Sequence, residues 1–205
     1  NDRQAKAQAE TAMTSIKDAI KNFEAKSGEK ATESEKVALY GQLPPIVKMD
    51  ATLSTLKMCK HLALSSNNID KISGLKGMDS LEILSLGRNC LKKLEGLDDV
   101  SDTLQELWLS FNQIDKLAGI EKCQKLRVLY MSNNLLSKWA EFDRLKDVTT
   151  LEELLLVGNP LFEAHEKTSD WRQQVAGRLP WLKKLDGVPV DDEEKEQGRA
   201  LVGGG

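Results

Sequence analysis

Between residues 59 and 161 apolar side chains recur at a fixed spacing around an asparagine. Aligned on that asparagine, four stretches superimpose: Cys59-Leu62-Leu64-Asn67-Ile69-Ile72, Leu81-Leu84-Leu86-Asn89-Leu91-Leu94, Leu104-Leu107-Leu109-Asn112-Ile114-Leu117 and Leu126-Leu129-Met131-Asn134-Leu136-Trp139. A fifth, shorter copy reads Leu151-Leu154-Leu156-Asn159-Leu161. By subtraction the asparagines lie 22, 23, 22 and 25 residues apart. Two leucines separated by one residue lie on the same side of a strand, so both enter the core and the residues flanking them face outward. Stacking the copies pairs these strands into one parallel sheet. An asparagine in the turn after the strand is placed to bond backbone groups of its own and the neighbouring copy, which predicts a ladder of satisfied amides. The second half of each unit, such as "LAGIEKCQKL", returns as a short helix or turn with Leu117, Ile120, Cys123 and Leu126 inward. Cys59 and Cys123 stand at leucine positions and are expected in the core.

This spacing is the leucine-rich-repeat pattern, and Gly74-Leu75, Gly96-Leu97 and Gly119-Ile120 recurring between strands place it in the 22-residue class. The expected fold is an α/β solenoid with one parallel sheet, short helices on the opposite face and helical caps at both ends. "TSIKDAIKNFE" carries Ile16, Ala19, Ile20 and Phe23 on one helical stripe, with Thr14 or Ser15 as N-cap. "ATESEKVALYG" has Thr32 and Glu35 at capping-box spacing and Gly41 as a stop, which predicts a second short helix. At the other end "SDWRQQVAGRLPWLKKLDG" predicts a helix closing the core through Trp171, Val175 and Leu179, then a degenerate strand around Leu182 and Leu185. The expected division is residues 1–50 as a polar segment and capping helices, 51–165 as repeats, 166–189 as C-terminal cap, and 190–205 as an exposed acidic helix with a flexible glycine tail. Residues 1–12, polar and alanine-rich, are expected to be weakly helical at best.

Composition adds exclusions. With 40% hydrophobic and 30% charged residues and a net charge of -3, signs interspersed, nothing pulls the chain toward nucleic acid or an anionic membrane. No apolar run approaches the roughly 20 residues of a membrane span, and no basic-then-apolar signal opens the sequence, so a cytosolic location is expected. Cys59, Cys90 and Cys123 form no metal-binding spacing and are read as thiols. His61 and His165 lie in unrelated segments without a nucleophile beside them, and no phosphate-binding, dinucleotide, zinc or calcium motif occurs. The expectation is a protein that is not an enzyme and uses no cofactor or metal.

Function is then sought on the outward face. The outward positions are His61, Ala63, Ser65; Ile83, Ser85, Gly87; Glu106, Trp108, Ser110; Val128, Tyr130, Ser132; and Glu153, Leu155, Val157. Trp108, Tyr130 and Leu155 occupy one row on strands about 4.8 Å apart, which predicts a continuous apolar stripe, flanked by Arg88, Phe111 and Asn133 from the following turns. Contiguous patches with Trp and Tyr are characteristic of interfaces. The candidate partner-binding set is therefore Ile83, Arg88, Glu106, Trp108, Phe111, Val128, Tyr130, Asn133, Glu153, Leu155 and Val157.

"SIKDAIKNFE", "ATESEKVALYGQLPPIVKMD", "LSLGRN", "LWLSFNQI", "LRVLYMSNN" and "LPWLKKLDGVPVDDEEKEQ" together resemble the light chain 1 family of axonemal outer-arm dynein, over about Thr14 to Gln197. The resemblance implies a non-catalytic regulatory subunit in a ciliary or flagellar axoneme, monomeric on its own. Such a subunit binds the motor domain of a dynein heavy chain at the microtubule-binding end of its stalk, through the apolar sheet face, and tunes how the motor engages the microtubule. It also implies a second contact, toward the motor or tubulin, from the acidic helix. There Asp191 and Lys195 match the family in charge, whereas Val188 and Lys195 replace its methionine and arginine. Two other repeat scaffolds compete. A phosphatase regulatory subunit of this class calls for many more repeats. A spliceosomal A-prime-like scaffold shares the "NP" and "LDG" of the cap but suits a basic tail, which is missing here.

Overall fold

The computed structural model describes residues 13–203; the expectations for residues 1–12 and for the last two glycines lie outside them. Eight short strands form one sheet in chain order: β1 (Lys36–Ala38), β2 (His61–Ala63), β3 (Ile83–Ser85), β4 (Glu106–Trp108), β5 (Val128–Tyr130), β6 (Glu153–Leu155), β7 (Lys184–Leu185) and β8 (Val188–Pro189). All pairs are parallel except β7 with β8, which turns back antiparallel at the C-terminal edge. Register is constant through the repeats, with Leu62, Leu84, Leu107, Leu129 and Leu154 side by side. Behind the sheet the chain returns through single 3-10 turns at Ala51–Thr55, Asp98–Val100, Ile120–Lys122 and Asp143–Asp147, and one short helix, α2 (Trp139–Phe142). A unit of 22 residues leaves room for little more. Both leucines of each strand, Cys59 and Cys123 are fully buried in one continuous core.

The amide ladder forms as the spacing predicts. Asn112 donates to the carbonyls of Leu86 at 3.0 Å and Leu109 at 2.9 Å, and its Oδ1 accepts from Leu91 N at 2.9 Å. Asn67, Asn89, Asn134 and Asn159 repeat the same three bonds one rung apart. Each asparagine thus ties two successive repeats. The recurring glycine has its own steric cause: Gly96 has φ +90°, and a Cβ there would lie 2.1 Å from the Ile72 carbonyl oxygen.

The caps contain the departures from expectation. Helix α1 (Ile16–Ser27) begins at Ser15, whose hydroxyl accepts from Asp18 N, and buries Ile16 and Ala19 as its stripe requires. The second N-terminal helix does not form. Residues 31–33 make one 3-10 turn and the following segment is β1, because Val37 and Leu39 alternate into the core while Lys60 N and His61 N claim the Glu35 carbonyl. This is a degenerate sixth rung, with Gln42 where the ladder has asparagine. At the far end α3 (Pro160–Glu166) precedes α4 (Trp171–Arg178), which buries Trp171 and Val175. The acidic helix, α5 (Asp192–Val202), is largely exposed, yet it is docked along one side. It packs across α4 where Gly177 and Gly198 meet: a Cβ on Gly198 would lie 2.3 Å from the Gln173 carbonyl oxygen. Small residues at a crossing let two helix backbones approach this closely. Arg172 on α4 ion-pairs with Glu194 and donates to the carbonyls of Leu185 at 3.0 Å and Pro189 at 2.9 Å.

Two outcomes test these devices. Asn112→Leu leaves Leu91 N unpaired and takes one of two amide donors from each of the Leu86 and Leu109 carbonyls, which should cost about 1–3 kcal/mol and lower the thermal midpoint by roughly 2–12 °C for a chain of this size; an unchanged midpoint would show that the ladder carries no stability. Gly198→Val should lift α5 from α4. Amide hydrogen exchange would then accelerate across residues 192–202 and stay slow in the repeats, whereas retained protection in α5 would contradict the packing.

Candidate functional site

The sheet register fixes what the exposed face offers. One outward row runs His61, Ile83, Glu106, Val128, Glu153 and Lys184; the next runs Ala63, Ser85, Trp108, Tyr130 and Leu155. The indole of Trp108 and the phenol of Tyr130 stack with centroids 6.0 Å apart and planes at 28°. Leu155 continues the row beside Tyr130. Trp108 also leans toward β2, meeting the His61 ring edge to face with centroids 5.3 Å apart. Room for it comes from Ala63 and Ser85, outward residues that are each only 7% exposed. The structure therefore adds His61 to the aromatic group, a residue that spacing alone gave no reason to choose. Burial lowers its pKa, helped by nearby Lys36, so its imidazole stays neutral and packs as an aromatic ring.

The polar tips of the two large rings are satisfied within the face. Trp108 Nε1 donates to Glu106 Oε2 at 3.0 Å, and the Tyr130 hydroxyl donates to Glu153 Oε1 at 3.0 Å. Glu153 is held in turn by Lys184 at 3.4 Å. Burial, with Glu153 alongside, raises the Tyr130 pKa and keeps the phenol protonated. What remains for a partner is ring surface framed by two carboxylates.

The C-terminal rim of the face is built by strained backbone. Arg88, Phe111 and Asn133 occupy equivalent places with φ 54°, 61° and 54°, a left-handed conformation that side chains other than glycine rarely adopt. Each is held by the next rung, through N–H bonds to the carbonyls of Ser110, Ser132 and Val157 at 2.9–3.0 Å. The conformation lifts these side chains clear of the strand. Phe111 stays 45% exposed, and the Arg88 guanidinium lies 4.3 Å from its ring centroid. Such strain, of order 1–3 kcal/mol for each residue, concentrates at functional surfaces. All eleven residues chosen from the sequence thus share one face and its rim.

The second candidate group is more dispersed. Val188 is 54% exposed on β8. Asp191 is the N-cap of α5, its carboxylate accepting from Glu194 N while Glu194 Oε2 accepts from Asp191 N. That carboxylate is committed to the helix terminus. Lys195 is half-buried on α5, and Asp192, Glu193 and Glu196 are its acidic residues turned to solvent. The sequence also concealed Asp186, which ends the ladder: its carboxylate accepts from Leu156 N at 2.7 Å, Val157 N at 3.0 Å and Trp171 Nε1 at 2.9 Å.

Chemistry elsewhere is structural. Burial pushes the Cys59 and Cys123 thiols up to about 11, far from a reactive thiolate. His165 is held between Trp139 Nε1 at 3.0 Å and Asp170 at 2.9 Å. Among the described residues no group of three His, Cys, Asp or Glu side chains is placed to hold a metal ion, and no helix is long and apolar enough to cross a membrane.

Comparison with known proteins bears on both fold and family. The family described as "Leucine Rich repeats (2 copies)" matches residues 57–99 and 102–144. Among solved structures, a chain of the Drosophila melanogaster SNF/U2A' complex superimposes with a TM-score of 0.56 at 24% identity, covering 65% of this chain and 75% of that one, a likeness of fold alone. The chain is 63% identical over 194 residues to Dynein axonemal light chain 1 of Chlamydomonas reinhardtii, covering 93% of this chain and 98% of the relative. It is 59% identical over 183 residues to the protein of the same name from Danio rerio, covering 89% and 95%. Identity of this order, extending through both caps, settles the family: the chain belongs to the axonemal dynein light chain 1 family.

Proposed function

We propose that the chain is a non-catalytic regulatory subunit of a ciliary or flagellar outer-arm dynein. It binds the motor domain of a heavy chain near the microtubule-binding tip of the stalk, through the exposed sheet face. The observation that carries this reading is the stacked Trp108–Tyr130 pair, continued by Leu155 and rimmed by Phe111, on the solvent side of an already complete core. Interface energy concentrates in central Trp and Tyr residues. Because their polar tips are bonded to Glu106 and Glu153, covering them strands no buried donor. By holding the motor head from one side, the subunit alters how that head engages the microtubule, and hence the beat. Residence in the axoneme follows from such an assembly.

The acidic turn of α5 supplies the second contact in this proposal. With Asp191 engaged as a cap and Glu194 paired to Arg172, the charged side chains of the first turns left to meet the motor or the microtubule surface are Asp192, Glu193, Lys195 and Glu196. Their action is electrostatic and screened over about 8 Å at physiological ionic strength.

Trp108→Ala and Tyr130→Ala should each weaken binding to a heavy-chain stalk-tip fragment by tens of fold, about 2 kcal/mol or more, with the fold retained. Leu107→Ala, by contrast, should lose about 2–5 kcal/mol of stability through a core cavity. Unchanged affinity in folded Trp108→Ala protein would remove the face from the interface. Joint neutralisation by Asp192→Asn and Glu193→Gln should preserve heavy-chain affinity at moderate salt while changing motor release from microtubules in a salt-dependent way. If affinity fell at every salt concentration, the helix would belong to the primary interface instead.

A further inference from the structure

The residues that lead into the strands build a second surface, on the flank of the solenoid. Gln105, Arg127, Glu152 and Lys183 immediately precede β4 to β7 and are joined rung to rung, with Arg127 N, Glu152 N and Lys183 N donating to the preceding carbonyl at 2.7, 2.8 and 2.9 Å. Two residues earlier on successive rungs stand Lys125, Thr150 and Trp181. The two rows line a groove of about 510 Å3.

Two features of this groove suit an occupant. The first is charge. Lys125, Arg127 and Lys183 line it against a single carboxylate, Glu152, which is shared between Arg127 and Lys183 at 3.4 Å each. The groove is therefore cationic in a chain whose net charge is -3. The second is an aromatic wall: Trp181 lines the groove beside Thr150 and Lys183. Its Nε1 is enclosed by protein, so what it offers an occupant is ring surface.

We infer that the flank groove is a further binding site, for an extended acidic peptide segment whose carboxylates pair with Lys125, Arg127 and Lys183 and whose backbone lies against the Trp181 ring. The size of the groove favours a segment over a single small anion. It runs across successive rungs about 4.8 Å apart, a length that suits about four extended residues at roughly 3.3 Å each. Arg127 and Lys183 then exchange a shared partner for charge-assisted bonds of their own. The inference is independent of what binds the sheet face.

Trp181 is its own reporter. Titrating the full chain with decaglutamate, and separately with decalysine and with inorganic phosphate, while following the four indole N–H resonances, gives the test; Trp181→Phe assigns the fourth. Decaglutamate should move the Trp181 resonance saturably and leave Trp108 unmoved, and the effect should fade as salt is added. Joint replacement Arg127→Gln and Lys183→Gln should weaken this binding by about tenfold or more while the other three indole resonances report an intact fold. The site fails as proposed if the Trp181 resonance stays still, if the double variant binds with undiminished affinity, or if decalysine binds equally well. A full response to phosphate alone would make it a small-anion site and overturn the peptide assignment.

Discussion

Everything on the surface of this molecule depends on how one side chain is bonded inside it. Each ladder asparagine accepts a backbone N–H from the preceding repeat and donates to one carbonyl in that repeat and one in its own. Three bonds from one amide fix the offset between successive rungs, and a one-residue slip would break all three while turning the leucines outward. The ladder ends where its chemistry ends. Gln42 holds the asparagine place in the first rung, and at the last the Asp186 carboxylate receives the open N–H groups of Leu156 and Val157.

With register fixed from within, the outward rows are free to carry other information. A large ring next to small neighbours can reach sideways, as Trp108 does toward His61 on the side of the sheet holding Ala63 and Ser85. Rings with satisfied tips form an apolar surface that strands no indole or phenol donor when covered, because Glu106 and Glu153 already hold those donors. The rim follows from the same ladder. A phenylalanine in the left-handed region persists at Phe111 because its N–H is clamped to Ser132 and Asn112 beside it is locked in the core.

The periodic part of this design was legible and the rest was not, for physical reasons. Positions such as Leu107, Asn112 and Trp108 obey a rule repeated five times, so facing and neighbours follow from counting. The caps obey no repeat. Thr32 with Glu35 and Asp191 with Glu194 have the same local spacing, yet only the second pair caps a helix. At the first, an adjacent strand takes the Glu35 carbonyl and core alternation at Val37 and Leu39 prevails over local propensity. The docking of α5 through Gly177 and Gly198, and the reach of Trp108 to His61, join residues distant in sequence by shape alone, which leaves no periodic trace.

The solenoid also ties the two surfaces argued above to one set of strands. Glu152 lies on the flank and carries Arg127 and Lys183; Glu153, the next residue, lies on the face and carries Tyr130 and Lys184. Successive residues of a strand point to opposite sides, but here they leave the same rung, so neighbouring carboxylates hold neighbouring lysines. A ligand that draws Lys183 away from Glu152 therefore acts one residue from the ion pair that orients Glu153 under the Tyr130 hydroxyl. Because both carboxylates are anchored to one backbone, their N–H groups both held by the Arg127 carbonyl, the face and flank are not electrostatically separate. A charge brought to the flank would therefore be felt first at Glu153, within the roughly 8 Å over which charges interact at physiological salt, and not at the more distant strands of the face.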